Sequence, residues 1–386
     1  MMGEGLPFAI TLMPYDISDE KRDWYREVSA RSRSRKAAAR RGELCLSRAE
    51  VNRPAFRPEA LMPERKRRGL CSLSLFSGGG GLDLGFERAG LQHVASFDLL
   101  DVCGETLKAN RPDWKVLSGS DGDVSTADFG EFAGAVDVVH GGPPCQPFSV
   151  AGKQIGGEDS RDMWPSFIRA IQAIRPAAFV AENVPGLLGR RFDRYVKETI
   201  IKPLSRSYAI DAFRLSATAF GVPQERQRVF FVGFRSSAAA GRYIAPRATH
   251  GHQNELFSVK GRALGAREAL GLEDTGFDCF APTLRSGFTG PRKTTSILNS
   301  KASQAVWRQL RIWPNGVQES REAAVRFPPE NGHFRLSVQD CGLLQGFPED
   351  WRFKGAVYQV IGQIGNSVSP PVGYAIANSI ADALSA

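Results

Sequence analysis

The chain of 386 residues is 42% hydrophobic and 24% charged and carries a net charge of +9, a composition typical of a globular protein large enough for two lobes. No apolar run approaches the length of a membrane span, and the scattered cysteines form no Cys-x-x-Cys pair, so we expect no membrane segment, metal site or disulfide framework. The basic excess suits a polyanionic partner, and residues 6–13 lack the form of a secretory signal, which favours a cytoplasmic location.

Residues 1–69 are predicted to form a basic N-terminal extension. They carry 16 Lys and Arg against 10 Asp and Glu, a net charge of +6. Residues 19–39 favour a helix, although the basic run from Arg31 to Arg41 is also typical of a solvated, partly disordered tail. The sequence assigns no function to this extension.

From Leu70 onward, short apolar runs alternate with amphipathic stretches. This alternation predicts an α/β fold of the Rossmann-like, doubly wound type, with a parallel sheet and helices on both faces. Two further β-rich stretches are expected to close the same sheet. The predicted strands are residues 70–76, 93–97, 135–140, 178–181, 209–215 and 229–234, and the clearest helical patterns are residues 82–89 and 162–174.

The α/β pattern is interrupted between residues 242 and 334. Gly, Pro, Thr and Ser dominate there with scattered Arg and no strong periodicity, which predicts a small, irregular inserted domain. Helical spacing returns at residues 371–384, and we expect this last helix to rejoin the first domain. The predicted catalytic domain therefore consists of residues 70–241 and 335–386.

A glycine-rich turn follows the first predicted strand. Residues 76–81 lie between that strand and a helix, where glycines let the backbone approach a ligand closely. Asp98 ends the second strand, where this fold places a carboxylate that binds a ribose. Asp123 precedes the next strand and suits an adenine amino group. A tight structural turn and two solvated surface acids remain the alternative interpretation.

The strongest motif is Pro-Pro-Cys-Gln at residues 143–146, directly after a predicted strand. The two prolines fix the backbone before Cys145 and hold its thiol in a defined direction. Glu182 follows another strand at the same edge of the sheet. Because open α/β sheets bind ligands beyond the carboxyl ends of their strands, we expect Asp98, Cys145 and Glu182 to share one crevice. The alternative is an inert cysteine in a rigid turn.

Two further motifs come later in the chain. Arg226 and Arg228 stand two residues apart at a strand entry, so alternation directs both to one face, although such a pair is often a solvated strand edge. Residues 363–370 precede the last helix, and they suit a helix cap or a ligand pocket equally well.

Taken in order, these motifs resemble the cytosine-5 DNA methyltransferase family of bacterial modification enzymes, from about residue 70 to the C-terminus except for the insert. The resemblance implies S-adenosylmethionine as cofactor, double-stranded DNA as substrate and the insert as target-recognition domain. The family more often has Glu where Asp98 stands. The implied catalytic residues are Cys145, Glu182, Arg228 and Arg226; the cofactor residues are Phe76, Ser77, Gly78, Gly80, Gly81, Asp98, Asp123, Pro144, Asn366 and Ser367; the DNA-contacting residues are Gln146, Ser149, Lys153, Arg161, Gln224, Thr283, Leu284 and Arg285.

The chemistry of this family gives these residues their expected roles. A thiolate of Cys145 adds to C6 of cytosine, Glu182 shares a proton with N3, and Arg228 holds O2. The base must leave the duplex to be attacked on its ring face. Residues 149–161 are then expected to close over it as a lid, in which Lys153 and Arg161 reach phosphates.

Other interpretations stay open at the level of sequence. An RNA cytosine-5 methyltransferase has the same catalytic motifs, although the insert of roughly ninety residues favours DNA. A catalytically silent DNA-binding protein would be expected to have lost one of the catalytic residues, and a redox or acyl-transfer cysteine lacks a histidine placed to activate it. The resemblance also implies a monomer that docks its insert in the major groove, with a restriction endonuclease as functional partner.

Overall fold

The computed structural model describes residues 19–41, 50–144, 162–251, 261–288, 294–329 and 331–385. Seven strands form the main sheet in the order β3-β2-β1-β4-β5-β8-β6. The strands of this part of the chain are β1 (Cys71–Leu75), β2 (Gln92–Asp98), β3 (Val116–Ser118), β4 (Val138–Gly141), β5 (Ala178–Asn183), β6 (Ala209–Ser216), the two-residue β7 (Gln224–Glu225) and β8 (Gln227–Phe234).

The sheet is parallel from β3 to β5 and antiparallel at β8. β8 lies between β5 and β6 and runs against both of them. The expected doubly wound α/β sheet is confirmed for its first five strands, whereas a wholly parallel sheet is wrong. The connection from β6 to β8 carries no crossover helix, and a chain that turns back directly pairs antiparallel. The short β3 was not among the predicted strands.

Thirteen α-helices are assigned within the described residues. They are α1 (Asp19–Arg40), α2 (Pro58–Leu61), α3 (Gly81–Arg88), α4 (Asp101–Asn110), α5 (Trp164–Ile174), α6 (Asp193–Tyr195), α7 (Ser237–Arg242), α8 (Ala266–Ala269), α9 (Lys301–Gln309), α10 (Arg321–Arg326), α11 (Val338–Gln345), α12 (Val357–Asn366) and α13 (Pro370–Ser385). A π-helix, Val196–Ile201, continues α6. None of these helices is long and apolar enough to cross a membrane.

Helices cover both faces of the sheet, as predicted. Successive residues of β5 show this: Val180 belongs to the apolar cluster that contains α3 and α13, and Phe179 belongs to the cluster that contains α5. Period-2 alternation along a strand buried on both faces produces this arrangement. The last helix rejoins the first domain as expected, and it crosses α3 so closely that a Cβ on Gly85 would lie 2.5 Å from the backbone nitrogen of Tyr374.

The region after α7 contains short elements and its own apolar cluster. Its strands are β9 (His250–Gly251), β10 (Gly261–Arg262), β11 (Ala281–Pro282), β12 (Ile312–Gln318) and β13 (Phe334–Ser337). Trp307 and Leu310 pack there with Leu344 and Ile361, which come from α11 and α12. The cluster thus continues past residue 334, where the sequence predicted the insert to end, and the domain boundaries remain a prediction.

The end of the N-terminal extension packs into the protein. We call residues 50–69 the N-terminal strap. The backbone N–H groups of Ala55 and Phe56 donate to Ala269 O at 3.1 and 3.2 Å, and Phe56 joins the cluster of the insert. Met62 belongs instead to the cluster under the sheet. The strap therefore packs against both of these clusters. Residues 19–39 form the predicted helix as part of α1.

Candidate active site

A cleft of about 1050 Å³ opens beyond the carboxyl ends of the parallel strands, at the place where this fold class binds ligands. Its walls come from the glycine turn (residues 76–81), the ends of β2, β4 and β5, and the start of β8. Residues 283–286 of the insert and residues 365–368, which we call the C-terminal motif, complete it. The sequence-predicted motifs therefore converge on one site.

Backbone geometry explains the residues of the glycine turn. Phe76, Gly78 and Gly80 all have positive φ, at 55°, 56° and 83°. Phe76 tolerates this conformation poorly, and such strain persists only where the surroundings impose it. Trp351 Nε1 donates to Gly79 O at 3.1 Å and so supports the turn from behind.

Close packing against the C-terminal motif accounts for another glycine. A Cβ on Gly81 would lie 2.1 Å from Val368 O, and a Cβ on Gly79 would lie 2.9 Å from Ser367 Oγ. Any larger side chain at residue 81 would therefore push the two motifs apart. Asn366 is exposed in the cleft and Ser367 is buried beside it.

Asp98 lies in the cleft and ties the glycine turn to the next connection. Its Oδ2 accepts from Gly78 N at 2.7 Å and its Oδ1 from Leu100 N at 2.8 Å. Burial raises the pKa of Asp98, while these two bonds and one from the Cys103 thiol oppose that rise. Asp98 thus lines the cleft and holds the glycine turn in place.

The structure does not bring Asp123 to the cleft. Asp123 Oδ1 accepts from the backbone N–H and the hydroxyl of Ser125, at 2.8 and 2.6 Å, and closes a local turn outside the cleft lining. Gly80 also lies behind the surface, against Trp351 and Leu107. The predicted adenine contact of Asp123 has no support in this geometry.

The nucleophile motif is described as far as Pro144. The predicted residues Cys145, Gln146, Ser149, Lys153 and Arg161, together with the lid at residues 149–161, lie outside the described residues. Up to that point, Pro143 and Pro144 line the cleft, and Asn183 Nδ2 donates to Pro143 O at 3.1 Å. Asn183 therefore anchors the backbone two residues before Cys145, a role that sequence reasoning missed.

Glu182 and Arg228 form a shielded ion pair in the cleft. Arg228 Nε lies 2.6 Å from Glu182 Oε1, and their side chains are 15% and 9% exposed. Burial raises the pKa of Glu182, and the neighbouring Arg228 and Arg226 oppose that rise. A carboxyl group that retains its proton more readily than usual suits a proton donor.

Arg226 is buried and holds the C-terminal motif. Its Nη2 donates to Gly365 O at 2.9 Å and to Ser367 O at 2.8 Å, and Gln345 Nε2 donates to the same Ser367 O at 2.6 Å. The predicted catalytic Arg226 is thus placed as a positioning residue. Gln345 belongs to the sequence Leu-Gln-Gly-Phe-Pro at residues 344–348. This sequence could have indicated that Gln345 helps to hold the C-terminal motif.

The residues predicted to contact DNA divide into two groups. Gln224 is fully buried, donates to Leu344 O and Gln345 Oε1, and accepts from Leu284 N at 3.1 Å. Leu284 is also buried, so the expected DNA contacts of these two residues are corrected: they fasten the insert to β7. Thr283 donates to Glu225 O, and Thr283 and Arg285 line the cleft.

The residues present fit S-adenosylmethionine. At Gly78 a Cβ would occupy open space in the cleft, Asp98 offers a carboxylate of the kind that binds a ribose, and the exposed Leu99 and Leu100 offer apolar surface beside it. Among the described residues no group of three His, Cys, Asp or Glu is placed to hold a metal ion.

Comparison with known proteins identifies the family of this chain. The family model described as C-5 cytosine-specific DNA methylase matches residues 70–382. The type II methyltransferase M.NgoMIV of Neisseria gonorrhoeae is 32% identical over 322 residues, which is 81% of this chain and 97% of that protein. M.Eco47II of Escherichia coli is 30% identical over 346 residues, with coverage of 80% and 78%.

A solved structure shows the same fold. Spodoptera frugiperda DNMT2 aligns with a TM-score of 0.55 at 19% identity and covers 81% of this chain and 99% of its own. The family match over residues 70–382 and the 32% identity to M.NgoMIV show that the chain belongs to the C-5 cytosine-specific DNA methylase family and is a DNA cytosine-5-methyltransferase.

Proposed function

We propose that this enzyme methylates C5 of a cytosine within a specific double-stranded DNA sequence, with S-adenosylmethionine as donor and Cys145 as nucleophile. The observation that carries the proposal is the buried Glu182–Arg228 pair, which shares the cleft with Pro144 and with the glycine turn. These groups combine a proton donor, a cationic base-binding group and a cofactor surface within one cavity.

The target base must first rotate out of the duplex, at a cost of about a few kcal/mol. The Cys145 thiolate then forms a bond to C6. A free cysteine is only a few per cent thiolate near neutral pH, so the site has to favour the ionised form. The contact between Asn183 and Pro143 supports this step because it fixes the backbone two residues before the sulfur.

Glu182 and Arg228 act on the ring. The proton of Glu182 is shared with N3 as the C6 adduct forms, so the negative charge that develops does not stay on C5 or O2 alone. Arg228 donates to O2 while it remains paired with Glu182. Bound S-adenosylmethionine supplies an electrophilic methyl group to C5. Loss of the C5 proton, to water in our proposal, then expels the Cys145 sulfur.

The insert and the rest of the chain would serve DNA recognition. Thr283 and Arg285 line the cleft where the insert meets it, which supports a role for them in contacting a base that enters it. We propose a monomer that docks its insert in the major groove and protects host DNA from a cognate restriction endonuclease. Two of its relatives, M.NgoMIV and M.Eco47II, are named type II methyltransferases.

Covalent trapping tests the proposal directly. Duplex DNA in which 5-fluorocytosine replaces cytosine should form a stable adduct with the wild-type protein in the presence of S-adenosylmethionine, because fluorine at C5 blocks the final elimination. Cys145→Ser should form none. Peptide mass analysis should place the adduct on Cys145. An adduct on another residue, or none in wild type, would refute the mechanism.

The substrate class requires its own comparison. Bisulfite sequencing of plasmid DNA from cells that express the enzyme should show methylated cytosines in one sequence context, and Cys145→Ser should remove them. Purified enzyme should transfer labelled methyl groups to duplex DNA and not to bulk tRNA. Preferential labelling of tRNA would favour the RNA-directed alternative.

A further inference from the structure

One buried acid of the cleft has no part in the mechanism above. Asp83 lies in the first turn of α3, is 2% exposed and is among the residues that line the cleft. Its Oδ1 accepts from Ser96 Oγ at 2.7 Å. Its Oδ2 is buried and accepts no hydrogen bond from the described part of the chain.

Two serines lie between Asp83 and the glycine turn. Ser74, in β1, lies beside Asp83 and lowers its pKa, and Ser77 Oγ donates to Ser74 Oγ at 2.8 Å. Ser77 belongs to the glycine turn. The carboxylate thus lies next to a pair of bonded hydroxyl groups, one of which belongs to the proposed cofactor surface.

Asp83 also lacks a cationic partner among the described residues. The titratable groups that face it are Asp98, whose charge is of the same sign, and His93, which contacts Ser96 Oγ at 2.8 Å. Burial lowers the pKa of His93 to about 4, so its ring is neutral under ordinary conditions. A buried carboxylate without a counter-charge is costly, and a cationic ligand would offset that cost.

We propose that Asp83 is a positioning residue of the cofactor site whose buried negative charge makes the cleft prefer a cationic sulfonium donor to the neutral thioether that remains after transfer. This inference rests on the proposed S-adenosylmethionine site. It explains why an acid occupies the floor of a cleft that already contains Asp98 and Glu182. It also favours product release, since the attraction to sulfur disappears when the methyl group leaves.

The ionisation of Asp83 provides a second readout. Burial raises its pKa from 3.8 to about 6, Asp98 adds to the rise, and the neighbouring Ser96 and Ser74 oppose it. The cleft should therefore prefer S-adenosylmethionine to S-adenosylhomocysteine above about pH 6 and lose this preference below it. The pKa of Asp83 is higher in the folded protein than in the unfolded chain, so protonation of this carboxyl group stabilises the fold. That stabilisation is complete below about pH 3.8 and is lost as the pH rises through about 6. At pH 8 the ionised carboxylate therefore costs stability.

Asp83→Asn separates binding from folding, because it removes the charge and keeps the shape. Calorimetric titration at pH 8 should show S-adenosylmethionine binding about tenfold more weakly than to wild type, and S-adenosylhomocysteine less than about threefold more weakly. The melting temperature of the ligand-free variant should equal or exceed that of wild type. A purely structural role would instead lower it and leave the preference for donor over product unchanged.

Ser96→Ala is the matched variant for Asp83→Asn. Ser96 donates a hydrogen bond to Asp83 but is buried outside the cleft lining. Loss of its hydrogen bond should raise the pKa of Asp83, so the donor preference should disappear at a higher pH than in wild type. If Asp83→Asn does not fold, the inference is tested by the pH at which Ser96→Ala loses its preference for S-adenosylmethionine. An unchanged profile, or equal weakening of both ligands by Asp83→Asn, would overturn the inference. Wild-type protein that binds neither ligand would refute the proposed cofactor site itself, and the inference with it.

Discussion

At the scale of single residues, the proposed mechanism depends on the ionisation of Glu182. Burial raises its pKa while Arg228 opposes the rise, so the protonated form is present at low pH and is lost as pH rises through the folded pKa. Glu182→Gln keeps the shape but removes the proton. We expect turnover to fall about 10²- to 10⁴-fold with little change in DNA affinity, as measured by single-turnover methyl transfer and by gel shift.

The control for this substitution is Glu198→Gln on the π-helix. Glu198 is exposed and pairs with Lys202 four residues away, so its loss should leave turnover unchanged. If Glu182→Gln stayed within threefold of wild-type turnover, the shared proton would not be part of the mechanism.

At the scale of elements, the N-terminal strap packs against two separate apolar clusters. Phe56 is 4% exposed and packs in the cluster of the insert, while Met62 packs under the sheet. Phe56→Ala should lower the free energy of unfolding by about 3–5 kcal/mol, because it removes a buried ring and leaves a cavity. Urea denaturation followed by fluorescence measures this change.

The strap also contains its own control. Val51 is 37% exposed, so Val51→Ala should change the free energy of unfolding by less than about 0.5 kcal/mol. Equal and small effects of the two substitutions would show that the strap does not contribute to the core.

At the scale of the whole molecule, the buried His140 and the half-buried His93 should make stability depend on pH. His140 stacks on Phe86 with ring centroids 4.1 Å apart, and burial lowers its pKa to about 3 and that of His93 to about 4. Folded pKa values below the unfolded value of about 6.5 contribute stability that is present above 6.5 and is lost as pH falls towards 4 and 3. Asp83 acts in the opposite direction.

His140→Phe isolates one of these contributions. The wild-type melting temperature should fall more steeply than that of the variant as the pH is lowered from 7 to 4, because the variant has no ring to protonate at that position. Differential scanning calorimetry at several pH values measures the difference. Parallel curves for the two proteins would show that His140 does not titrate with unfolding.

The sequence by itself predicted most of the strands and helices and the motifs that line the cleft. Strands and helices show local periodicity, and the motifs at Asp98, Pro144 and Glu182 follow strands whose carboxyl ends meet at one edge. For this reason the α/β class and the cleft could be predicted from residue patterns alone. The family followed from the order of those same motifs.

Only the tertiary structure decided which residues reach the cleft and which hold it together. Asp123 closes its own turn, Gln224 is buried beneath the insert, and Gly81 is required by a carbonyl of residue 368. The sequence pattern also did not predict that β8 runs antiparallel or that the strap packs into the core. Each of these outcomes depends on contacts between segments far apart in the chain, and local periodicity carries no information about how closely two such segments approach.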